Sequence, residues 1–237
     1  MNLIFDIGNT STKCAIYDGE RQVLMERTEA LSEAYVDTLF RHYPIGRIIA
    51  SVVGPMPDWE QLLPRNAQSQ LHLLSPATHL PIKLHYNTPE TLGMDRVAAI
   101  CGARTHAPKG NLMIVDAGSC ITVDLLTADN CYEGGAILPG IKMQLRAMNQ
   151  FTAKLPLVEY SDRGETPLIG KTTEECLLSG TLRATAFALE GYIAETHFDT
   201  IFLTGGDAPL LKKLLRHETR LCSGLLMEGL NRIIELN

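Results

Sequence analysis

The stretch Ile4–Asn9 reads IFDIGN, and the stretch Ile114–Ser119 reads IVDAGS, 110 residues later. In each, an apolar strand ends in an aspartate, a glycine turn follows, and a second apolar strand comes next. An offset close to half the chain length indicates an internal duplication. The pattern therefore predicts an α/β protein of two similar lobes that face each other. The alternative is a coincidental likeness between two hairpins.

The length and composition of the chain suit two such lobes. It has 237 residues, of which 45% are hydrophobic and 20% charged, as in ordinary globular proteins. At roughly 100–200 residues per domain, there is room for one large domain or two lobes. We place an N-terminal lobe at residues 1–108 and a C-terminal lobe at residues 109–237.

Charge, hydropathy and cysteine spacing exclude several classes of protein. The net charge of −6 argues against a nucleic-acid-binding protein and against a basic helix on a membrane surface. No apolar run approaches the ~18 residues of a membrane span, and the start of the chain lacks the pattern of a signal peptide. The six cysteines form no Cys-x-x-Cys pair, so we expect free, mostly buried thiols in a reducing cytoplasm.

Hydrophobic periodicity and turn residues give the expected elements. Strands are predicted over 3–7, 13–18, 22–27, 47–53, 112–116, 120–127 and 201–204. Helices are predicted over 31–43, 90–107, 141–151, 172–197 and 225–236. Residues 80–89 and 161–170 read as loops. Thr172 and Glu175 have the spacing of a capping box at the start of the long helix.

The first glycine turn has the chemistry of a phosphate site. In the stretch Asp6–Lys13, Gly8 permits a turn that a Cβ would crowd, so backbone N–H groups can point at phosphate oxygens. Lys13 adds a positive charge for a β- or γ-phosphate. Asp6 ends its strand and can hold hydrated Mg²⁺ against the phosphates. The alternative is a tight hairpin with a surface lysine.

The second glycine turn repeats this chemistry. Asp116, Gly118 and Ser119 correspond to the first turn, and the strand that follows ends near Asp124. If both turns line one cleft, two carboxylates and two glycine turns converge on one polyphosphate. The stretch Gly205–Asp207, after another buried strand, leaves room for an adenine or a ribose, although such a turn alone is a weak signal.

Two other nucleotide motifs do not fit. Gly170–Thr172 resembles the end of a P-loop, but five residues separate it from Gly164, where the pattern needs four, and no strand precedes it. No Gly-x-Gly-x-x-Gly follows a strand, which disfavours a dinucleotide site of the Rossmann type.

A candidate catalytic group lies between the two turns. In Gly93–Arg96 an aspartate precedes an arginine near a helix start, where a carboxylate stays ionised. Asp95 could accept the proton of an attacking hydroxyl, and Arg96 could bind a substrate carboxylate. The alternative is an ion pair at a helix N-terminus.

Four motifs together resemble the type III pantothenate kinases of the acetate and sugar kinase/Hsp70/actin superfamily. They are Asp-x-Gly-Asn-Thr-x-x-Lys at 6–13, Gly-x-Asp-Arg at 93–96, Asp-x-Gly-(Ser/Thr)-x-x-Thr-x-Asp at 116–124 and Gly-Lys-x-Thr at 170–173. Their order and spacing cover nearly the whole chain. The resemblance implies two ribonuclease-H-like lobes in an actin-like ATPase fold around a central nucleotide cleft.

The resemblance also implies an activity: phosphorylation of pantothenate by ATP, the first step of coenzyme A synthesis, with Mg²⁺ and a monovalent cation, K⁺ or NH₄⁺. Asp95 would be the general base and Asp6 the carboxylate on the Mg²⁺ side, while Asp116 would bind K⁺. Pantothenate would contact Tyr86, Gly93, Met94, Asp95, Arg96 and Thr173. ATP would contact Asp6, Ile7, Gly8, Asn9, Thr10, Ser11, Thr12, Lys13 and Ser119.

Two positions depart from the family pattern. Ser119 stands where threonine is usual, which keeps the hydroxyl. Thr172 stands where asparagine is common, so the substrate contact is either Thr172 or Thr173. In the family, that contact comes from the neighbouring subunit of a homodimer. Glycines at 180 and 191 in the long helix are compatible with a dimer interface, against the alternative of a helix buried within one chain.

Two other functions remain open on the sequence. The family includes the Bvg accessory factors, so one alternative is an inactive nucleotide-binding regulator. Direct DNA binding is disfavoured by the acidic charge and the lack of a helix-turn-helix pattern. The other is a kinase for another small alcohol that carries a carboxylate.

Overall fold

The computed structural model describes residues 1–8, 11–161 and 166–237 and divides the chain into two compact units. The first unit comprises Met1–Pro108 together with Gly224–Asn237, and the second comprises Lys109–Ser223. The predicted boundary after residue 108 coincides with this division. The last 14 residues differ, because they group with the first unit and not with the second.

The first unit is built on a five-stranded mixed sheet in the order β3-β2-β1-β4-β5. Strands β1, β2 and β3 are antiparallel neighbours, and β1, β4 and β5 are parallel. The strands are β1 (Asn2–Ile7), β2 (Thr12–Asp18), β3 (Arg21–Thr28), β4 (Arg47–Val52) and β5 (Leu71–Leu73). A further short strand is β6 (Lys83–Leu84). The helices are α1 (Glu33–His42), α2 (Trp59–Leu62), α3 (Met94–His106) and α8 (Leu225–Leu236).

Alternate residues of β1 face two different layers, which places Asp6. Leu3 and Phe5 pack into a core with Val36 of α1. On the opposite face, the side-chain amide of Asn2 donates to Oδ1 of Asn231 on α8, at 2.9 Å. Asp6 has the same parity as Asn2 and so lies on the face of the sheet that α8 covers.

Helix α8 joins the first unit because it packs closely on α3. A Cβ on Gly102 of α3 would overlap the backbone of Leu225, and a Cβ on Gly229 of α8 would overlap the backbone of Ala98. Only glycine permits this approach of the two helix backbones. The predicted lobe boundary missed this contact because it depends on helices that are far apart in the chain.

The second unit repeats the first. Its strands run in the order β9-β8-β7-β10-β11, with the same pattern of antiparallel and parallel neighbours as β3-β2-β1-β4-β5. The strands are β7 (Leu112–Ala117), β8 (Cys120–Leu126), β9 (Cys131–Pro139), β10 (Thr200–Thr204) and β11 (Arg220–Leu221). The helices are α4 (Ile141–Phe151), α5 (Thr173–Leu178), α6 (Ala184–Glu195) and α7 (Ala208–Leu214). The duplication inferred from the two Asp–Gly turns is therefore a duplication of topology.

Helices α5 and α6 are joined by a π-helical turn at Ser179–Arg183 into one helical rod. The predicted capping box is present. The Thr172 hydroxyl accepts from the Glu175 backbone amide, and the Glu175 carboxylate accepts from the Thr172 backbone amide. Side chains of this rod hold the preceding segment: Ser179 Oγ donates to the Leu168 carbonyl at 2.6 Å, and Arg183 Nη2 donates to the Thr166 carbonyl at 2.8 Å.

Two further sequence expectations can be compared with the structure. None of the six cysteines, all of which lie among the described residues, forms a disulfide, but only Cys14 and Cys101 are buried, so the expectation of mostly buried thiols was wrong. Burial raises the pKa of each of these two thiols to about 12. Within residues 1–8, 11–161 and 166–237, none of the helices has the length and apolar character needed to cross a membrane.

Candidate active site

The first glycine turn is closed by a short backbone bond. The amide of Gly8 donates to the carbonyl of Ser11 at 3.1 Å, and a Cβ on Gly8 would come within 3.1 Å of that oxygen. Glycine is favoured here because of this close approach. Ile7 and Thr12, on either side of the turn, are buried. Asn9 and Thr10, which were predicted to contact ATP, lie outside the described residues.

A buried carboxylate and a lysine stand at the base of this turn. Asp6 is 8% exposed, and Lys13 Nζ lies 3.3 Å from its Oδ2. Asp6 and Lys13 are opposite each other in the β1–β2 ladder, so the strand register sets the pair. Burial raises the pKa of Asp6, Lys13 opposes that rise, and Asp95 adds to it by charge repulsion. Asp6, Lys13 and Asp95 therefore share one electrostatic environment within the first unit.

Sequence reasoning missed one cation at the first turn. Arg27 of β3 is the register partner of Lys13, and its Nε donates to Ser11 Oγ at 2.8 Å. The hydroxyl of Ser11 is thus held by a strand residue 16 positions further along the chain. A register symmetric about the Asp18–Arg21 pair would place Glu26 opposite Lys13, and the shift between Ile16 and Tyr17 brings Arg27 there instead, so the sequence holds no local signal for Arg27.

The Gly93–Arg96 motif forms the N-terminus of α3, as predicted. Gly93 is the N-cap residue, and Asp95 lies in the first turn, where its Oδ1 accepts from the Arg96 amide at 2.9 Å. Met94 and Arg96 are buried at 8% exposure each, while Asp95 is half-buried. A carboxylate at this position is stabilised by the helix dipole and can still reach solvent or a substrate.

The second glycine turn is braced by the Gly205–Asp207 turn, which follows β10. The amide of Gly118 donates to the Cys120 carbonyl at 2.9 Å, and the amide of Asp207 donates to the Ala117 carbonyl at 3.0 Å. Gly205 has φ +91°, and a Cβ there would meet the Asp116 carboxylate and the Ala117 backbone. The geometry therefore requires glycine at 205 and brings the third turn against the second.

The remaining predicted residues of the second unit lie in different settings. Ser119 is exposed beside Gly118. Asp124, which closes the second motif, is buried and accepts a bond from the Tyr132 hydroxyl at 2.8 Å, so it stabilises the sheet and is not open to a ligand. The Thr172 hydroxyl caps α5, whereas Thr173, the first residue of that helix, is exposed.

Tyr86, the last predicted substrate contact, is half-buried in the first unit, two residues beyond β6. The structure thus pairs Asp6 with Lys13 in the first unit, where the charge of Asp95 also raises the pKa of Asp6. In the second unit it brings Asp116, Gly118 and the Gly205–Asp207 turn together. In each unit an aspartate, Asp6 or Asp116, lies one residue before the end of a strand, β1 or β7, and a glycine turn follows.

The repeated sheet and its solved neighbours define the fold, which is that of the actin-like ATPases and sugar kinases. A Baf family protein from Campylobacter jejuni has a TM-score of 0.65 at 22% identity, over 99% of this chain and 98% of that one. A ROK family protein from Streptococcus pneumoniae has a TM-score of 0.52 at 12% identity, over 99% and 98% of the two chains. At such identities the likeness concerns the fold.

The family follows from the sequence comparisons. A model described as type III pantothenate kinase matches residues 2–195. A protein of that name from Phocaeicola vulgatus is 39% identical over 244 residues, covering 100% of this chain and 99% of that protein. One of the same name from Christiangramia forsetii is 38% identical over 246 residues, with 100% and 99% coverage. The chain belongs to the type III pantothenate kinase family, so its predicted membership and its predicted class of enzyme, an ATP-dependent kinase, are confirmed.

Proposed function

We propose that this chain transfers the γ-phosphoryl group of ATP to the primary hydroxyl of pantothenate, the first step of coenzyme A synthesis. The family and the names of the curated relatives support this activity. The observation that carries it is the buried Asp6–Lys13 pair at a glycine turn, with the Asp95 carboxylate in its electrostatic field. A nucleotide-binding turn beside a half-exposed carboxylate is what such a kinase requires.

The residues at the first turn fit a divalent metal. Asp6 is a buried carboxylate whose pKa is raised by desolvation, and a divalent cation would relieve that cost. Oxygen is the ligand type that Mg²⁺ takes, usually with several of its waters retained. Bound to ATP, Mg²⁺ would neutralise phosphate charge. Asp6 would hold it through water, and Lys13 would contribute a second positive charge at the phosphates.

Asp95 would act as the general base. Its Oδ1 is engaged by the Arg96 amide, which fixes the carboxylate and leaves Oδ2 to accept the proton of the pantothenate hydroxyl. Phosphoryl transfer of this kind depends mainly on positioning and on charge neutralisation. Arg96 would bind the pantothenate carboxylate. Gly93, Met94 and Tyr86 would line the substrate pocket.

We assign the remaining contacts as follows. Thr173 is the substrate contact in preference to Thr172, since the Thr172 hydroxyl already caps α5. Ser119 contacts ATP, and Asp116 binds the monovalent cation, K⁺ or NH₄⁺, because hard cations take carboxylate and carbonyl oxygens. The free cysteines favour the reducing cytoplasm as the location.

We also propose a homodimer through the exposed face of α6 and the π-helical turn. Gly180, Ala184, Phe187 and Gly191 are all exposed and recur at spacings of four, three and four, which places them along one side of a helical rod. Phe187 is 52% exposed, and a Cβ at Gly180 or Gly191 would meet open space. Small residues beside a large apolar one suit close approach of a second copy of the helix. A monomeric mass by light scattering at micromolar concentration would contradict this interface.

A coupled ADP-release assay tests the activity. We expect ATP turnover that requires pantothenate and rises with K⁺. ADP release with a different carboxylate-bearing alcohol, and none with pantothenate, would replace the proposed substrate. No turnover with any acceptor would favour a regulator of the Bvg accessory factor type, which the named relatives do not favour.

The variant Asp95→Asn tests the role of the base. Loss of a general base typically lowers the rate about 10²–10⁴-fold. We expect kcat to fall by that order while the affinity for ATP stays within twofold, because the phosphate turn is intact. Asp95→Asn with nearly normal turnover would remove Asp95 from the mechanism.

A further inference from the structure

A tyrosine that no motif includes is bonded to the turn next to the second phosphate site. The hydroxyl of Tyr160 lies 2.8 Å from Oδ1 and 2.9 Å from Oδ2 of Asp207, so its single proton is shared by both carboxylate oxygens. Tyr160 lies in the segment that follows α4, 47 positions before Asp207. Both residues belong to the second unit.

The side chain of Asp207 does not cap the helix that it precedes. It is the N-cap residue of α7, where an aspartate normally accepts from the backbone of the first helical turn. Here its side chain makes no such capping bond and is directed to Tyr160 instead. The helix therefore lacks the stabilisation that an aspartate cap usually gives. The Asp207 carboxylate therefore links its turn to Tyr160 and does not cap α7.

The turn that Tyr160 holds is tightly fitted on one side and open on the other. On the tight side, Gly205 has φ +91° and a Cβ there would overlap the Asp116 carboxylate, while the Asp207 amide donates to the Ala117 carbonyl at 3.0 Å. On the open side, a Cβ on Gly206 would meet no atom within 4 Å. A flat backbone with a free face is suited to contact with a planar base or a sugar.

Tyr160 can hold this position as a neutral donor throughout the physiological range. Burial and the Asp207 carboxylate both raise its pKa, so the phenol keeps its proton. A hydrogen bond from a neutral donor to a carboxylate is stronger than one between two neutral groups. The protonated phenol therefore ties Tyr160 to the turn.

We propose that Tyr160 is a positioning residue for nucleotide binding: its hydroxyl holds the Asp207 carboxylate, and thereby fixes the Gly205–Asp207 turn in the conformation that receives the adenosine end of ATP. This inference rests on the proposed ATP-dependent function. The ligand chemistry concerned is that of an adenine nucleoside. ATP and ADP should therefore both be sensitive to Tyr160, while pantothenate should not.

The test is the affinity of Tyr160→Phe for ATP and for ADP, measured by calorimetry on the full chain. One charged hydrogen bond is lost, so we expect both dissociation constants to rise about three- to tenfold. The KM for pantothenate and kcat at saturating ATP should stay within twofold. Tyr43→Phe is the matched control, because the half-buried Tyr43 hydroxyl makes no hydrogen bond among the described residues.

Asp207→Asn provides a second variant. If the pair acts as a unit, the double variant Tyr160→Phe/Asp207→Asn binds ATP no more weakly than the poorer single variant. Unchanged ATP and ADP affinity in Tyr160→Phe, or a loss for ATP alone, would overturn the inference. Failure of the unaltered protein to bind ATP would overturn the proposed function itself, so the two failures are distinguishable.

Discussion

At the scale of single residues, the buried hydroxyl of Thr181 is an unusual feature of the π-helical turn. Thr181 is 1% exposed, and its Oγ1 has no hydrogen-bond partner within the described part of the chain. A buried polar group without a partner costs about 1–3 kcal/mol relative to a satisfied one, whereas an apolar group of the same shape does not. The side chain of valine has that shape.

We therefore expect Thr181→Val to leave the free energy of unfolding unchanged or to raise it by up to about 1 kcal/mol. The matched control is Thr185→Val, because Thr185 is 3% exposed and its Oγ1 accepts from Gln144 Nε2 at 3.1 Å. The free energy of unfolding of Thr185→Val should fall by about 1 kcal/mol. Urea denaturation of the two variants measures both changes in the free energy of unfolding. Equal destabilisation of both would show that the Thr181 hydroxyl has a partner in solution.

The residues of the site were predictable where they stand in a motif at the end of a strand. Asp6 and Asp116 lie near the ends of apolar strands, just before glycine turns, and Lys13 lies just after the first of these turns. The local sequence pattern was therefore enough to find them. Arg27 and Tyr160 were not predictable in this way. Their partners are 16 and 47 positions away, and only the sheet register or the packing of a loop brings them together.

At the scale of elements, the crossing of α3 and α8 depends on two glycines. The stability of an isolated helix increases by about 1 kcal/mol when an interior glycine is replaced by alanine. At Gly102 the sign should reverse, because the added Cβ would overlap the Leu225 carbonyl, and separating packed backbones costs typically 1–3 kcal/mol.

Gly102→Ala should accordingly lower the midpoint of thermal unfolding, measured by circular dichroism. Gly46→Ala is the control, since a Cβ at Gly46 would meet no atom within 4 Å, and its midpoint should be almost unchanged. A midpoint for Gly102→Ala at or above that of the unaltered protein would contradict the close approach of the two helices.

Elements with a clear hydrophobic period were predicted well, and short or glycine-containing ones were missed. Helices α4 and α8 have the predicted bounds, 141–151 and 225–236. Strand β9 was not predicted, since its sequence CYEGGAILP contains residues that strands disfavour. The structure supplies the reason for one of them: a Cβ on Gly135 would overlap the Val123 carbonyl of β8. That constraint comes from the neighbouring strand and leaves no local signal.

At the scale of the whole molecule, the duplication was evident in the sequence, but the assignment of its last helix was not. The two Asp–Gly turns 110 residues apart predicted two similar units, and five strands of the second sheet repeat the strand order of the first. Helix α8 follows β11 as α3 follows β5, yet both helices pack together in the first unit. This packing depends on the close approaches of Gly102 to Leu225 and of Gly229 to Ala98, which join distant parts of the chain.

The central claim is that the aspartate of each repeat, Asp6 or Asp116, contributes to the binding of ATP. Calorimetric titration of the full chain with a non-hydrolysable ATP analogue and Mg²⁺ tests it most directly, on the unaltered protein and on Asp6→Asn and Asp116→Asn. We expect one nucleotide per chain and an affinity that falls about tenfold or more in each variant, since each loses a charged contact. Two nucleotides per chain, or an affinity unaffected by either substitution, would contradict the account.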